Sequence, residues 1–234
     1  MTLQTNLVHA LLFDVDGTLS DTDDHMISRL ERFLKPIQWA FNNKTTRPFA
    51  RWLVMAAESP GKFIYSLSDS LGIDAHLSRI FVRINRIKLQ RRHPADLFML
   101  VDGVREMLAD LYAHYPMAVV SARDELSTRV FLEHFELERF FQVVVTNQTC
   151  KHTKPFPDPI LCAAEFLKVS AKNCLMIGDT LMDVHAALAA GAQSLSVLCG
   201  FGTEEELRRA GTHALLPNTA MVKDLLLDGV GSID

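Results

Sequence analysis

Short apolar runs recur along the chain, each long enough for a buried strand and too short for a stable helix. The first spans Ala10 to Val15; others run from Met117 to Val120, from Val143 to Val145, from Cys174 to Ile177 and from Leu195 to Cys199. Between them, apolar residues fall three and four apart and predict helices over Val104 to His114, Glu125 to Phe135, Pro159 to Leu167 and Met182 to Ala190, the last with Gly191 as its C-cap. Alternating strands and helices predict an α/β core, a Rossmann-like parallel sheet with helices on both faces, and place ligand chemistry at the carboxyl ends of the strands. Asp14, Ser121 and Asp179 all stand at such ends.

One stretch breaks the alternation. Residues 20–96 have helical periodicity, both tryptophans (Trp39 and Trp52) and no clear strands, so they read as an all-helical cap inserted into a core made of residues 1–19 and 97–234. One of its helices is predicted over Arg79 to Arg92, with Ile80, Ile84 and Ile87 beside an arginine row.

Composition changes this picture little. The 234 residues are 48% hydrophobic and 22% charged, which suits an ordinary folded protein and excludes collagen-like, coiled-coil and disordered classes. Neither a membrane-spanning run nor the basic start of a signal peptide is present, so a cytoplasmic location is expected, without membrane partners. The four cysteines are too widely spaced for a CxxC motif and are expected as buried thiols. Charge is more informative when divided: Ser20 to Leu100 carries 13 Lys plus Arg against 8 Asp plus Glu, a net of +5 inside a chain whose total is −4. A mildly acidic chain of this kind disfavours nucleic-acid partners, while a basic insertion beside an acidic core suits a small anionic substrate.

The strongest local signal is Asp14-Val-Asp16-Gly17-Thr18-Leu19 directly after the first strand. Two carboxylates in a glycine turn also occur as a turn-and-cap device. Three further features follow in order: Ser121 after Val119 and Val120, Lys154 between Thr153 and Pro155, and Gly178-Asp179-Thr180 with Asp183. With these four motifs the chain resembles phosphatases of the haloacid dehalogenase superfamily, in the phosphoglycolate-phosphatase-like branch with a helical cap. The stretches Lys154 to Pro159, Asp179 to Asp183 and Gly200 to Glu206 resemble that branch too.

The resemblance implies a phosphoric monoester hydrolase in which Asp14 is the nucleophile and Asp16 protonates the leaving alkoxide, then deprotonates water. It implies Mg²⁺ held by Asp14, the backbone carbonyl of Asp16, and Asp179. Ser121, the Ala122 N–H and Lys154 would hold the phosphoryl oxygens, with Asp183 supporting the metal site or orienting Lys154. Each residue type makes physical sense, because attack on an anionic phosphoryl group needs positive charge beside the nucleophile, and Mg²⁺ prefers hard oxygen ligands. Asp16 would need a raised pKa, which a neighbouring carboxylate and restricted solvation could supply. Its presence also argues against dehalogenation, since a departing halide needs no proton.

Within the same superfamily, a phosphomutase using Asp14 and Asp16 is the alternative enzyme. A noncatalytic binding or regulatory protein on this fold is the alternative class. Arg47, Arg51 and Lys62 in the insertion, and Arg123 near Ser121, read chiefly as solvated surface charges with a secondary possibility of reaching substrate. His25 as a metal ligand, and a Schiff-base role for Lys35, Lys44, Lys62 or Lys88, have little in the sequence to select them. Substrate identity and oligomeric state are not legible.

Overall fold

The computed structural model describes residues 2–21 and 98–227. By contacts the chain divides into two units, Met1–Asp21 with Pro94–Asp234, and Thr22–His93. All the described residues belong to the first unit. The readings made for Arg79 to Arg92, for the two tryptophans and for His25, Lys35, Lys44, Arg47, Arg51, Lys62 and Lys88 lie outside the described residues.

The five apolar runs and one further segment form six parallel strands, β1 Ala10–Phe13, β2 Met117–Val120, β3 Val143–Val145, β4 Cys174–Gly178, β5 Gln193–Val197 and, not foreseen, β6 Ala214–Leu216. They are connected through α1 Val104–Tyr112, α2 Glu125–His134, α3 Asp158–Leu167, α4 Leu181–Ala189 and α5 Glu204–Ala210, with α6 Val222–Leu227 closing the described chain. Continuous apolar strands are what a sheet covered on both faces requires. One face, with Ala10, Leu12, Ala118, Val120, Cys174 and Met176, packs into a cluster with Ile160, Ala163 and Leu167 of α3 and Ala186 and Ala187 of α4. The alternate set, Leu11, Phe13, Met117, Val119, Leu175 and Ile177, is equally buried. The α/β parallel-sheet class expected from the sequence is the class observed.

The strand order is β3-β2-β1-β4-β5-β6. The order reverses direction between β1 and β4, which pair in register from Ala10 opposite Cys174 to Phe13 opposite Ile177. A parallel sheet opens a crevice at such a switch point, because the connections on either side leave toward opposite faces. Asp14 follows the end of β1, and Asp179 follows the end of β4, so topology alone sets these two carboxylates side by side.

The chain leaves and re-enters this unit through adjacent segments. Asp21 N–H donates to the Met99 carbonyl at 2.8 Å and Val101 N–H to the Leu19 carbonyl at 3.0 Å. The cysteines differ from expectation. All four are free thiols, but only Cys174 is buried, while Cys150, Cys162 and Cys199 are half-buried. Among the described residues, no helix is long and apolar enough to cross a membrane.

Candidate active site

Asp14 is held by what surrounds the end of β1. Its N–H donates to the Ile177 carbonyl at 2.9 Å, continuing the β1–β4 ladder one residue beyond the strand. Its side chain is 9% exposed, and Oδ1 accepts from Val15 N–H at 2.7 Å and lies 2.9 Å from Lys154 Nζ. Both contacts fall on one oxygen, so Oδ2 has no hydrogen bond among the described residues.

Lys154 reaches this point from the loop between β3 and α3. Its ammonium bridges Asp14 and Asp183, at 2.9 and 2.6 Å, with its side chain 3% exposed. Burial pushes the ammonium toward neutrality, but the two carboxylates outweigh burial and raise its pKa, so it stays charged. Asp14 moves the other way for a carboxylate that must ionise. Burial, with the Asp183 and Asp16 charges, pushes it up to about 7 against the opposing Lys154.

Asp183 sits in the first turn of α4, where an acidic residue suits the helix dipole. Its Oδ2 accepts from Thr180 N–H at 3.0 Å and Thr180 Oγ at 2.7 Å, completing a capping box, while Oδ1 takes the Lys154 ammonium. With both oxygens engaged, Asp183 orients Lys154. Gly178 makes room for it, since a Cβ there would fall 2.3 Å from the Asp183 carboxyl carbon.

Asp179 is fully buried and accepts from Thr18 Oγ1 at 3.1 Å and from Phe201 N–H at 2.7 Å. Two glycines press against it. Gly17, at φ +72°, has the left-handed backbone that the turn after Asp16 requires, and a Cβ would lie 2.3 Å from Asp179 Oδ2. At Gly200 the same oxygen would be 2.1 Å away. Neither glycine, nor Thr18, nor the Phe201 amide had been assigned a role from the sequence. The signal lay in the flanking motif residues Gly17 and Thr18 and in the stretch Gly200 to Glu206.

The structure brings Asp14, Lys154, Asp179 and Asp183 together. Ser121 is buried at the end of β2, where Oγ accepts from Arg123 N–H at 3.1 Å, and Ala122 is exposed beside it. The Asp16 side chain turns to Arg123, which takes both its oxygens, Nε donating to Oδ2 at 2.5 Å and Nη2 to Oδ1. The reading of Arg123 as a solvated surface charge is therefore corrected. Its side chain is 14% exposed, and its guanidinium lies 4.9 Å from the Phe98 ring centre and 5.8 Å from that of Phe131. Two aromatic faces attract a planar cation and shield it from water. The sequence had pointed to a neighbouring carboxylate as what acts on Asp16; the Asp14 and Asp16 charges do repel each other, and a guanidinium pairs with Asp16 as well.

Asp14, Asp179 and Asp183 offer ligand oxygens within 4.8 Å of one another, all buried. Four carboxylates with Asp16 face two cations, Lys154 and Arg123, among the described residues. That surplus of negative charge, presented as hard oxygen donors, fits a divalent ion of the magnesium type. Each of the three presents an oxygen to that cluster, and Asp183 shares one of its two with the Lys154 ammonium.

A haloacid dehalogenase-like hydrolase family model matches residues 11–197. The phosphoglycolate phosphatase of Colwellia psychrerythraea is 27% identical over 206 residues, covering 86% of this chain and 89% of that protein. The pyrophosphatase PpaX of Bacillus mycoides is 28% identical over 192 residues, covering 81% and 83%. Among solved structures, a HAD-superfamily hydrolase of subfamily IA from Geobacter sulfurreducens has the same fold, with a TM-score of 0.61 at 18% identity, covering 97% and 100%. With the family's match covering Asp14, Asp16, Lys154, Asp179 and Asp183 alike, the chain belongs to the haloacid dehalogenase-like hydrolases.

Proposed function

We infer that this protein is a magnesium-dependent phosphatase that hydrolyses a small phosphorylated metabolite through an aspartyl-phosphate on Asp14. The observation that carries the reading is the Lys154 ammonium bridging Asp14 and Asp183 inside a buried carboxylate cluster. A nucleophile with a cation fixed against it, in a site of surplus negative charge, is what phosphoryl transfer demands and a noncatalytic fold does not. The names of the two curated relatives, a phosphoglycolate phosphatase and a pyrophosphatase, support small phosphorylated compounds as the substrate class. A cytoplasmic location goes with this reading.

Asp14, Asp179 and the Asp16 carbonyl would hold Mg²⁺, which would supply Lewis-acid neutralisation of phosphoryl charge and keep Asp14 ionised. Asp14 attacks phosphorus through a carboxylate oxygen as the ester P–O bond breaks. Asp16 gives its proton to the leaving alkoxide. Water then attacks the phosphoryl group and hands a proton back to Asp16, releasing phosphate and restoring the Asp14 carboxylate. Lys154, Ser121 Oγ and the Ala122 N–H steady the phosphoryl oxygens, and Asp183 keeps Lys154 aimed.

The test is a phosphomonoester panel with Mg²⁺ or EDTA, against Asp14→Asn. Metal-dependent release of phosphate, reduced at least ~10³-fold in the variant, is expected. Turnover that survives Asp14→Asn would overturn the mechanism.

A further inference from the structure

The turn after β1 satisfies its own amides but not its own carbonyls. The N–H groups of Thr18, Leu19 and Ser20 all donate to the Val15 carbonyl, at 3.3, 2.9 and 2.7 Å. In a trans planar peptide the carbonyl points opposite the N–H. The carbonyls of Gly17, Thr18 and Leu19 therefore face away from Val15, and all three residues are buried. That of Leu19 takes the Val101 N–H at 3.0 Å. A buried carbonyl without a partner is strongly disfavoured, so the other two need donors from elsewhere for the turn to keep this shape.

Those donors follow β5 and β6. Thr219 Oγ1 donates to the Thr18 carbonyl at 2.7 Å, across 201 positions, and Thr219 is itself fully buried. The Cys199 thiol donates to the Gly17 carbonyl at 3.4 Å and lies 3.5 Å from Thr219 Oγ1. A thiol is a weak donor, so the Thr219 hydroxyl is the stronger hold. Thr219 is seated in its turn. Asn218 Oδ1 accepts from the Met221 N–H at 3.2 Å, and a Cβ on Gly103 would come 3.0 Å from that of Ala220, so the segment Thr219–Met221 rests on the start of α1.

The far side of Thr18 gives this hold a consequence. The Thr18 hydroxyl donates to Asp179 Oδ1 at 3.1 Å. Thr219 thus fixes the backbone of the residue whose side chain fixes Asp179. The same turn aims the Asp16 carbonyl: Gly17 N–H donates to the Ser20 carbonyl at 2.9 Å, so the Asp16 carbonyl faces the other way. Asp179 and that carbonyl are two of the oxygens assigned to the ion.

We propose that Thr219 is a positioning residue that holds Asp179 in place for the divalent ion, acting through Thr18. Its one hydroxyl proton goes to a backbone carbonyl, and its influence reaches the site only along that chain of contacts. The proposal rests on the phosphatase reading for the identity of the ion.

Thr219→Val keeps the shape and removes the hydroxyl. Calorimetry with magnesium chloride alone should show affinity about 3- to 10-fold weaker, the lower end of what losing a ligand's supporting contact does. Thr219→Ser restores the donor and should bind as the parent does. Activity should need more magnesium by the same factor, with kcat at saturating magnesium within about 2-fold of the parent. Thr18→Val should lose at least as much affinity, and the double variant no more than Thr18→Val alone, because the two hydroxyls act in series. A Thr219→Val protein with a lowered melting temperature but unchanged magnesium affinity would overturn the proposal, and so would additive losses in the double variant. Where Thr219→Val does not fold, Thr219→Ala takes its place.

A second measurement needs no metal. The Phe201 amide donates to Asp179 Oδ2, so its native-state hydrogen exchange reports how firmly Asp179 is held. It should speed up by about 5-fold or more in Thr219→Val and return in Thr219→Ser, with the amides of β2 unchanged. Unchanged exchange at Phe201 would overturn the positioning role. A parent protein that binds no magnesium, together with faster Phe201 exchange in Thr219→Val, would overturn the phosphatase reading and keep Thr219 as the residue that positions Asp179.

Discussion

Two cation–carboxylate clusters stand at the carboxyl end of the sheet, and they are built on different principles. In the inner one, Lys154, Asp14 and Asp183 are 3%, 9% and 1% exposed, and one ammonium is shared by two carboxylates. In the outer one, Arg123 and Asp16 are 14% and 23% exposed, paired through both carboxylate oxygens and floored by aromatic rings. The inner cluster is locked by depth: a charge moved there finds no water to take it. The outer pair lies closer to solvent, which weakens the hold of its charges on each other.

Removing the inner cation should have the largest effect. Lys154→Met keeps the bulk but leaves Asp14 and Asp183 facing each other in a dry site, at a cost of about 3–5 kcal/mol of stability. Turnover should fall ~10³-fold or more, because both the phosphoryl contact and the orientation of the nucleophile go with it. Urea melts and steady-state kinetics would check this. A variant as stable as the parent would break the contrast with the outer pair.

A smaller effect is expected one layer out. Gly200→Ala places a Cβ 2.1 Å from Asp179 Oδ2, and Asp179 cannot yield freely while Phe201 N–H and Thr18 Oγ1 hold it. Magnesium affinity should weaken by about 10- to 100-fold, as when a ligand's supporting contacts are lost. Magnesium titrations of activity and of heat uptake would measure it. Saturating magnesium should restore much of kcat, which separates this substitution from Lys154→Met.

Much of this arrangement was readable from the sequence, for identifiable reasons. The strands β1, β2, β3 and β4 announced themselves because a doubly covered parallel sheet needs uninterrupted apolar runs, whereas β5, with Gln193, Ser194 and Ser196, was caught only over its last three residues. The strand β6 did not, being three residues without the β-branched run that marks β3, and α5 was noted as a motif rather than a helix although Thr203 and Glu206 form a capping box. Strand order left no trace in apolar runs, which record length and burial but not neighbours. Asp14, Lys154 and Asp179 stand in compact local motifs. The role of Arg123 depends on Asp16, 107 positions away, and on Phe98 and Phe131 converging on it, none of which a local pattern encodes. A lone arginine in sequence is most often a solvated charge; the fold, not the motif, makes this one otherwise.

The smallest expected effect sharpens the comparison through pH. In metal-free protein the folded state keeps Asp14 protonated up to about 7, whereas the unfolded chain releases that proton near 3.8. Between those values the folded state binds the extra proton, so this group's contribution to stability is full below about 4 and is lost as pH rises through 7. Magnesium needs the ionised carboxylate and cancels the penalty that burial places on it. The melting-temperature gain on adding Mg²⁺ should therefore grow from pH 5 to pH 7 and level off above it, by a few degrees in all. The outer pair should not shape that curve, so Arg123→Met should give the same profile as the parent, whereas Asp14→Asn should flatten it. An equal magnesium gain at pH 5 and pH 8 in the parent would mean that Asp14 is already ionised without metal, and the inner cluster would then be balanced by Lys154 alone.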